Sequence, residues 1–139
     1  MSTIDSKIIL HIDDDPDDRY LVGEAIKQID PSLILREAQD GQKAIDFLNQ
    51  AKLFGDLPCM IILDMNMPIM NGKQTFHAIR KDPALCTIPI VIFSTSPAGI
   101  EKDYFESENV RLFIKPSTFA GFASCIKEFL DYHFKGQWK

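Results

Sequence analysis

Five short apolar runs of strand length alternate along this chain with longer segments whose apolar residues recur at helical spacing. The runs are residues 7–12, 33–37, 59–64, 88–93 and 111–114. The third, Cys59-Met60-Ile61-Ile62-Leu63, is continuously apolar, as expected of a strand buried on both faces. Between the runs, Leu21, Val22, Ala25, Ile26 and Ile29 fall on one helical face, as do Ala44, Ile45 and Leu48, then Phe76 and Ile79. Residues 99–108 read as a fourth helix. A fifth carries Phe122, Ala123, Ile126, Phe129 and Leu130 inward. Local signals mark the boundaries: Asp15 as an N-cap before Pro16, Gly41 opening the second helix, Asn71-Gly72 the third, and Thr118 capping the last. The pattern predicts an α/β fold, a doubly wound five-stranded parallel sheet with five helices and right-handed crossovers.

Such a sheet gathers all strand ends of one polarity on one edge, where ligands bind near a topological switch point. Asp13 and Asp14 follow the first run, Asp64 ends the third, Ser94 follows the fourth, and Lys115 ends the fifth just before Pro116. Three carboxylates and one ammonium at one edge can hold a divalent cation with an anionic group beside it. Taken singly, each residue has a plainer reading. Asp13, Asp14 and Asp15 suit a helix start, Ser94 a loop hydroxyl, and Lys115 a solvated side chain. The set acquires meaning only jointly.

Composition narrows the classes. A chain of 139 residues carrying a formal charge of −5 and no run of Lys and Arg is a poor nucleic-acid binder. No apolar stretch is long enough to span a bilayer and the first residues lack a secretory core. Cys59, Cys86 and Cys125 are odd in number and widely spaced, and His11, His77 and His133 show no zinc-ligand spacing. Reduced thiols, a cytoplasmic location and structural roles for all six are expected.

The segments Ile9-Leu10-His11-Ile12-Asp13-Asp14-Asp15-Pro16, Leu63-Asp64-Met65-Asn66-Met67-Pro68-Ile69-Met70-Asn71-Gly72, Pro89-Ile90-Val91-Ile92-Phe93-Ser94 and Ile114-Lys115-Pro116 resemble, in order and spacing, the receiver domain of two-component response regulators. The resemblance runs from about Lys7 to Phe134. It implies a flavodoxin-like sheet of strand order 2-1-3-4-5 and a single receiver domain over residues 1–139 without an output domain, a layout similar to chemotaxis-type and phytochrome-partner regulators. By the same resemblance Asp64 is the phosphoacceptor and Asp14 ligates Mg²⁺ directly, with Mn²⁺ as a substitute. Asp13 acts largely through a bound water, and Asn66 gives its backbone carbonyl. Ser94 and Lys115 contact phosphoryl oxygens, and the Lys115–Pro116 bond is cis. The implied donor is a sensor histidine kinase or a histidine phosphotransfer protein. The implied readout is a shift in the surface of the fourth helix, fifth strand and fifth helix, read by a downstream protein.

The chain departs from the family pattern twice. Leu112, with Phe113 beside it, stands where many receivers have an aromatic three residues before the lysine. Thr95 stands where Ala or Gly often follows the serine, which narrows access for a phosphodonor. Two other functions compete. A Mg²⁺-dependent aspartyl-phosphate hydrolase generally needs a second Asp two residues after the nucleophile, and Asn66 at that position cannot do acid–base work. A phosphorylation-independent binding module would be expected to lack one of the key residues. Phe105, Phe119, Tyr132, Phe134 and Trp138 are expected in part on outer faces, where a cluster would form a homodimer or kinase-binding surface. Met65, Met67 and Met70 read as packing residues.

Overall fold

The computed structural model describes residues 7–95 and 99–134, with side chains through 95 and from 102 to 132. The elements run β1 (Ile8–Ile12), α1 (Pro16–Ile29), β2 (Ile34–Ala38), α2 (Gly41–Phe54), β3 (Met60–Leu63), α3 (Gly72–Lys81), β4 (Ile90–Ser94), α4 (Gly99–Ser107), β5 (Leu112–Ile114) and α5 (Phe119–Phe134). All four strand pairings are parallel and the order is β2-β1-β3-β4-β5, as expected. The switch point falls between β1 and β3, whose registers match Ile12 to Leu63.

Successive side chains leave a strand on opposite faces, so each strand feeds two cores. Leu10, Ile12, Ile61, Leu63, Ile90 and Ile92 pack with Leu48 of α2, Phe76 and Ile79 of α3 and Phe105 of α4. On the other face Ile9, Met60, Ile62, Val91 and Phe93 meet Val22 and Ile26 of α1 and Phe122, Ile126 and Phe129 of α5. Phe105 is fully buried, edge-on to Phe76 at 5.1 Å, so its expected place on an outer face is corrected. Its helical phase, shared with Tyr104 against α3, decides this. Tyr132 is exposed and Phe119 is half-buried, while the Phe134 side chain and Trp138 lie outside the described residues. Met65 and Met67 are buried in the first core, in keeping with packing roles.

The cap signals translate into bonds. Asp15 accepts from the Asp17 amide at 2.9 Å, and Asn71 and Gln74 form a reciprocal capping box at 2.9 Å each way. Thr118 Oγ accepts from the Gly121 amide. Asp40, not singled out from sequence, caps α2 by accepting from Lys43 N at 2.8 Å. β2 starts one residue later than expected and runs on to Ala38, whose carbonyl accepts the Asp13 amide. The Lys115–Pro116 bond is trans, correcting the expected cis form; no cis peptide occurs among the described residues. Trans is the lower-energy isomer even before proline. Among the described residues, no helix is long and apolar enough to cross a membrane.

One backbone position is strained. Ile69, in the loop between β3 and α3, has φ 70°, a left-handed conformation that a β-branched residue adopts only at a cost. Its side chain is 80% exposed, so no burial offsets that cost. Ile69→Asn is expected to stabilise the protein by about 1 kcal/mol, seen as a higher urea midpoint at unchanged m-value.

Candidate functional site

The register of the sheet places the site. Ile12 and Leu63 are paired, so the residues after them, Asp13 and Asp64, emerge side by side, with the Asp64 amide donating to the Ile12 carbonyl at 2.9 Å. β4 and β5 pair Ser94 with Ile114, and the Lys115 amide donates to the Ser94 carbonyl at 2.8 Å. Four strand ends thus deliver Asp13, Asp64, Ser94 and Lys115 to one edge, and Asp14 follows Asp13 into the turn before α1. The turn is fixed by Asp13 itself, whose Oδ1 accepts the Asp15 amide at 3.0 Å, while Arg19 Nη1 donates to the Asp13 carbonyl at 2.8 Å. On the β3 side, Gly72 lies so close to the chain that a Cβ there would collide with the Asp64 carbonyl and approach Met65 Cα to 2.7 Å.

One carboxylate oxygen from each of Asp13, Asp14 and Asp64 lies within 4.8 Å of the others. Asp13 and Asp64 are buried and Asp14 is exposed, so the cluster opens to solvent on one side. Hard oxygen donors in a partly open cluster suit a divalent cation that keeps several waters. Asn66 is exposed on the same side; with Asp14, Met67, Asn71 and Lys73 it lines a groove of about 390 Å³.

Lys115 Nζ, only 5% exposed, donates to Asp13 Oδ2 and to Asp18 Oδ2 at 2.7 Å each and stands 3.5 Å from Asp64 Oδ1. Burial works against its charge, but the hydrogen bonds it donates to Asp13 and Asp18 and the charges of Asp13 and Asp64 outweigh it and lift its pKa above the usual lysine value. For Asp64, burial and then the Asp13 charge push the pKa up to about 6, against the smaller pull of Lys115, Ser94 and the Met65 amide. Burial also opposes the Asp13 carboxylate, yet contact with His11, the Lys115 hydrogen bond and the Asp15 amide hold it below the usual carboxylate range. The two neighbouring carboxyls are therefore driven apart. Ser94 Oγ is fully buried and, although near enough to ease Asp64 ionisation, makes no hydrogen bond of good geometry among the described residues. A buried hydroxyl without a partner is costly and points to a group that it serves at another stage.

All the residues expected from sequence thus converge, Asn66 more peripherally than the rest. Two were missed as parts of the site. His11, buried on β1, brings Nε2 to 3.4 Å of Asp13 Oδ2, and neither ring nitrogen has a hydrogen-bond partner among the described residues. The signal was its strand alternation, which puts residues 11 and 13 on one face. Asp18 lies four residues before Val22, on the inward stripe of α1, and that phase was its signal. Leu112 packs on the core that holds Phe105 and Val110, and Phe113 stacks on Phe129 at 4.5 Å, so no aromatic occupies the position three before the lysine.

This geometry agrees with comparison to known proteins. Residues 9–123 match the family model described as the response regulator receiver domain, and the chain belongs to that family, part of two-component signalling. Response regulator Rcp1 of Synechocystis sp. is 36% identical over 94 residues, which are 65% of this chain and 63% of that protein; the match thus spans a little under two thirds of the relative's length. A probable methanogenesis regulatory protein, FilR2 of Methanothrix harundinacea, is 27% identical over 130 residues, covering 92% of this chain and 84% of the other. Among solved structures, the phosphorylated cyanobacterial phytochrome response regulator RcpA superposes with a TM-score of 0.79 at 26% identity, covering 95% of this chain and 96% of that one.

Proposed function

We propose that this receiver accepts a phosphoryl group on Asp64, from a histidine kinase or a histidine phosphotransfer protein in the cytoplasm, and signals by the resulting change of shape. The carrying observation is the convergence of three carboxylates, a buried lysine and an unbonded buried serine hydroxyl on one sheet edge. A carboxylate oxygen of Asp64 attacks phosphorus while the bond to the donor's leaving atom breaks. That atom keeps the electron pair and takes up a proton. Little covalent chemistry is required of the protein, so positioning and charge neutralisation carry the reaction. Lys115 Nζ, already 3.5 Å from Asp64, supplies one positive charge, and Ser94 Oγ supplies a donor.

The carboxylates of Asp13, Asp14 and Asp64 and the carbonyl of Asn66 would hold Mg²⁺, or Mn²⁺ in its place, which when bound neutralises charge on the phosphoryl oxygens. Thr95, exposed directly after Ser94, narrows the approach. The phosphoryl group adds about −1.5 to −2 charge near pH 7, and the Ser94 hydroxyl moves toward it. The readout surface is α4-β5-α5, where Lys102, Glu106, Arg111 and Tyr132 border a groove of about 390 Å³; a downstream protein or a second copy docks there. Catalysis is limited to its own phosphorylation and dephosphorylation.

The test is intact mass after incubation with acetyl phosphate and Mg²⁺. A phosphoryl-sized gain is expected in the wild type and absent in Asp64→Asn and in chelator. No gain in the wild type, together with no binding of beryllofluoride, would overturn the proposal in favour of a phosphorylation-independent binding module.

A further inference from the structure

Lys115 is not centred on Asp64. Its ammonium makes two short charge-assisted bonds, both at 2.7 Å, to Asp13 and to Asp18, and leaves Asp64 at 3.5 Å. Asp13 and Asp64 belong to the carboxylate cluster, whereas Asp18 stands outside it, one turn into α1. Its amide faces the Asp15 cap at 3.5 Å, its side chain is only 17% exposed, and α1 is locked to α5 through the shared core of Val22, Ile26, Ile126 and Phe129. Asp18 is therefore an anion held by α1 against the lysine, outside the carboxylate cluster that contains Asp64.

We propose that Asp18 is a positioning residue that competes with the phosphoryl group for Lys115. The inference rests on the phosphoacceptor reading above. An ammonium has three N–H donors, so number does not limit it; place does. A phosphoryl oxygen bonds well only when the nitrogen lies within about 2.9 Å, and drawing Nζ toward Asp64 stretches its bond to Asp18. The pull of Asp18 thus weakens the hold on a phosphoryl group and returns the lysine when that group leaves. Asn at position 18 keeps the shape and an acceptor oxygen but removes the charge, and neutral partners bond about half as strongly as ionised ones.

The experiment measures beryllofluoride affinity by titration calorimetry at saturating Mg²⁺ for wild type, Asp18→Asn, Asp18→Glu and Asp17→Asn. Asp17 is exposed on the same turn and has no bond to Lys115, so its variant makes the same change of net charge without the contact. The expected result is about fivefold tighter binding in Asp18→Asn, a value near wild type in Asp18→Glu, and less than a twofold change in Asp17→Asn. Unchanged or weaker binding in Asp18→Asn would overturn the competition, and so would an equal gain in Asp17→Asn. Wild type that fails to bind beryllofluoride at all would instead overturn the phosphoacceptor reading, which keeps the two failures apart.

Discussion

Lys115→Met is expected to destabilise the protein by about 3–5 kcal/mol at pH 8 in chelator, the range for breaking a buried ion pair from one side. The lysine is nearly inaccessible and is the cation that Asp13, Asp18 and Asp64 share. Without it, two buried carboxylates face each other uncompensated. The pH dependence has a definite sign. The folded-state pKa of Lys115 lies above the ordinary 10.5, so its contribution is fully present at pH 8 and is lost only in strong alkali. On the acid side the deficit shrinks, because Asp64, already raised to about 6, rises further and takes a proton. Urea unfolding at pH 5 and pH 8 reads the difference. Saturating Mg²⁺ is expected to recover a good part of the loss at pH 8, since it offers the carboxylates another positive charge. A deficit independent of both pH and Mg²⁺ would mean that Lys115 contributes packing alone.

Asp64→Asn is expected to act in the opposite direction, stabilising the protein by about 2 kcal/mol at pH 8 in chelator. The folded pKa of about 6 stands above the ordinary 3.8, so the unfolded chain releases its proton first and stability falls as pH rises between those values. Above that window the ionised carboxylate costs the fold about 3 kcal/mol; Asn removes the charge and keeps the shape, less whatever attraction Lys115 loses. Below pH 4 both states are protonated and the gain is expected to vanish. Calorimetric unfolding across pH 4–8 measures this directly. A variant less stable than wild type at pH 8 would show that the attraction to Lys115 exceeds the cost of burial and of Asp13.

Different physical sources made different parts of this molecule legible in the sequence. The strand order and the edge carrying the site followed from alternation and the resemblance. Strand ends needed no side-chain detail, because Ile12, Leu63 and Phe93 each close an apolar run. What could not be read was phase and reach. Phe105 was grouped with aromatics expected in part on outer faces, because helical phase near the C-terminus is poorly fixed by sequence; contact with Phe76 decides it. Asp18 was not singled out, and only the length of the Lys115 side chain, crossing from β5 to α1, brings it into the site. His11 looked scattered from the other histidines, since its relation to Asp13 depends on which face of β1 is turned to α1. The bond before Pro116 is a two-state choice for which composition gives no rule.

The close fit of Gly72 against the chain at Asp64 has a mechanical meaning. On the β3 flank Asp64 is braced: the Gly72 amide donates to the Met65 carbonyl at 2.9 Å, the backbones touch without room for a methyl group, and the capping box of Asn71 and Gln74 anchors the next turn. On the β4 flank it faces Ser94, whose buried hydroxyl has no hydrogen bond of good geometry among the described residues. The backbone beside Asp64 is thus closely packed on the β3 side, while the side chain facing it from β4 keeps a hydroxyl free to rotate. On the phosphoacceptor reading proposed above, displacement on loading Asp64 is expected to be larger at β4 than at α3.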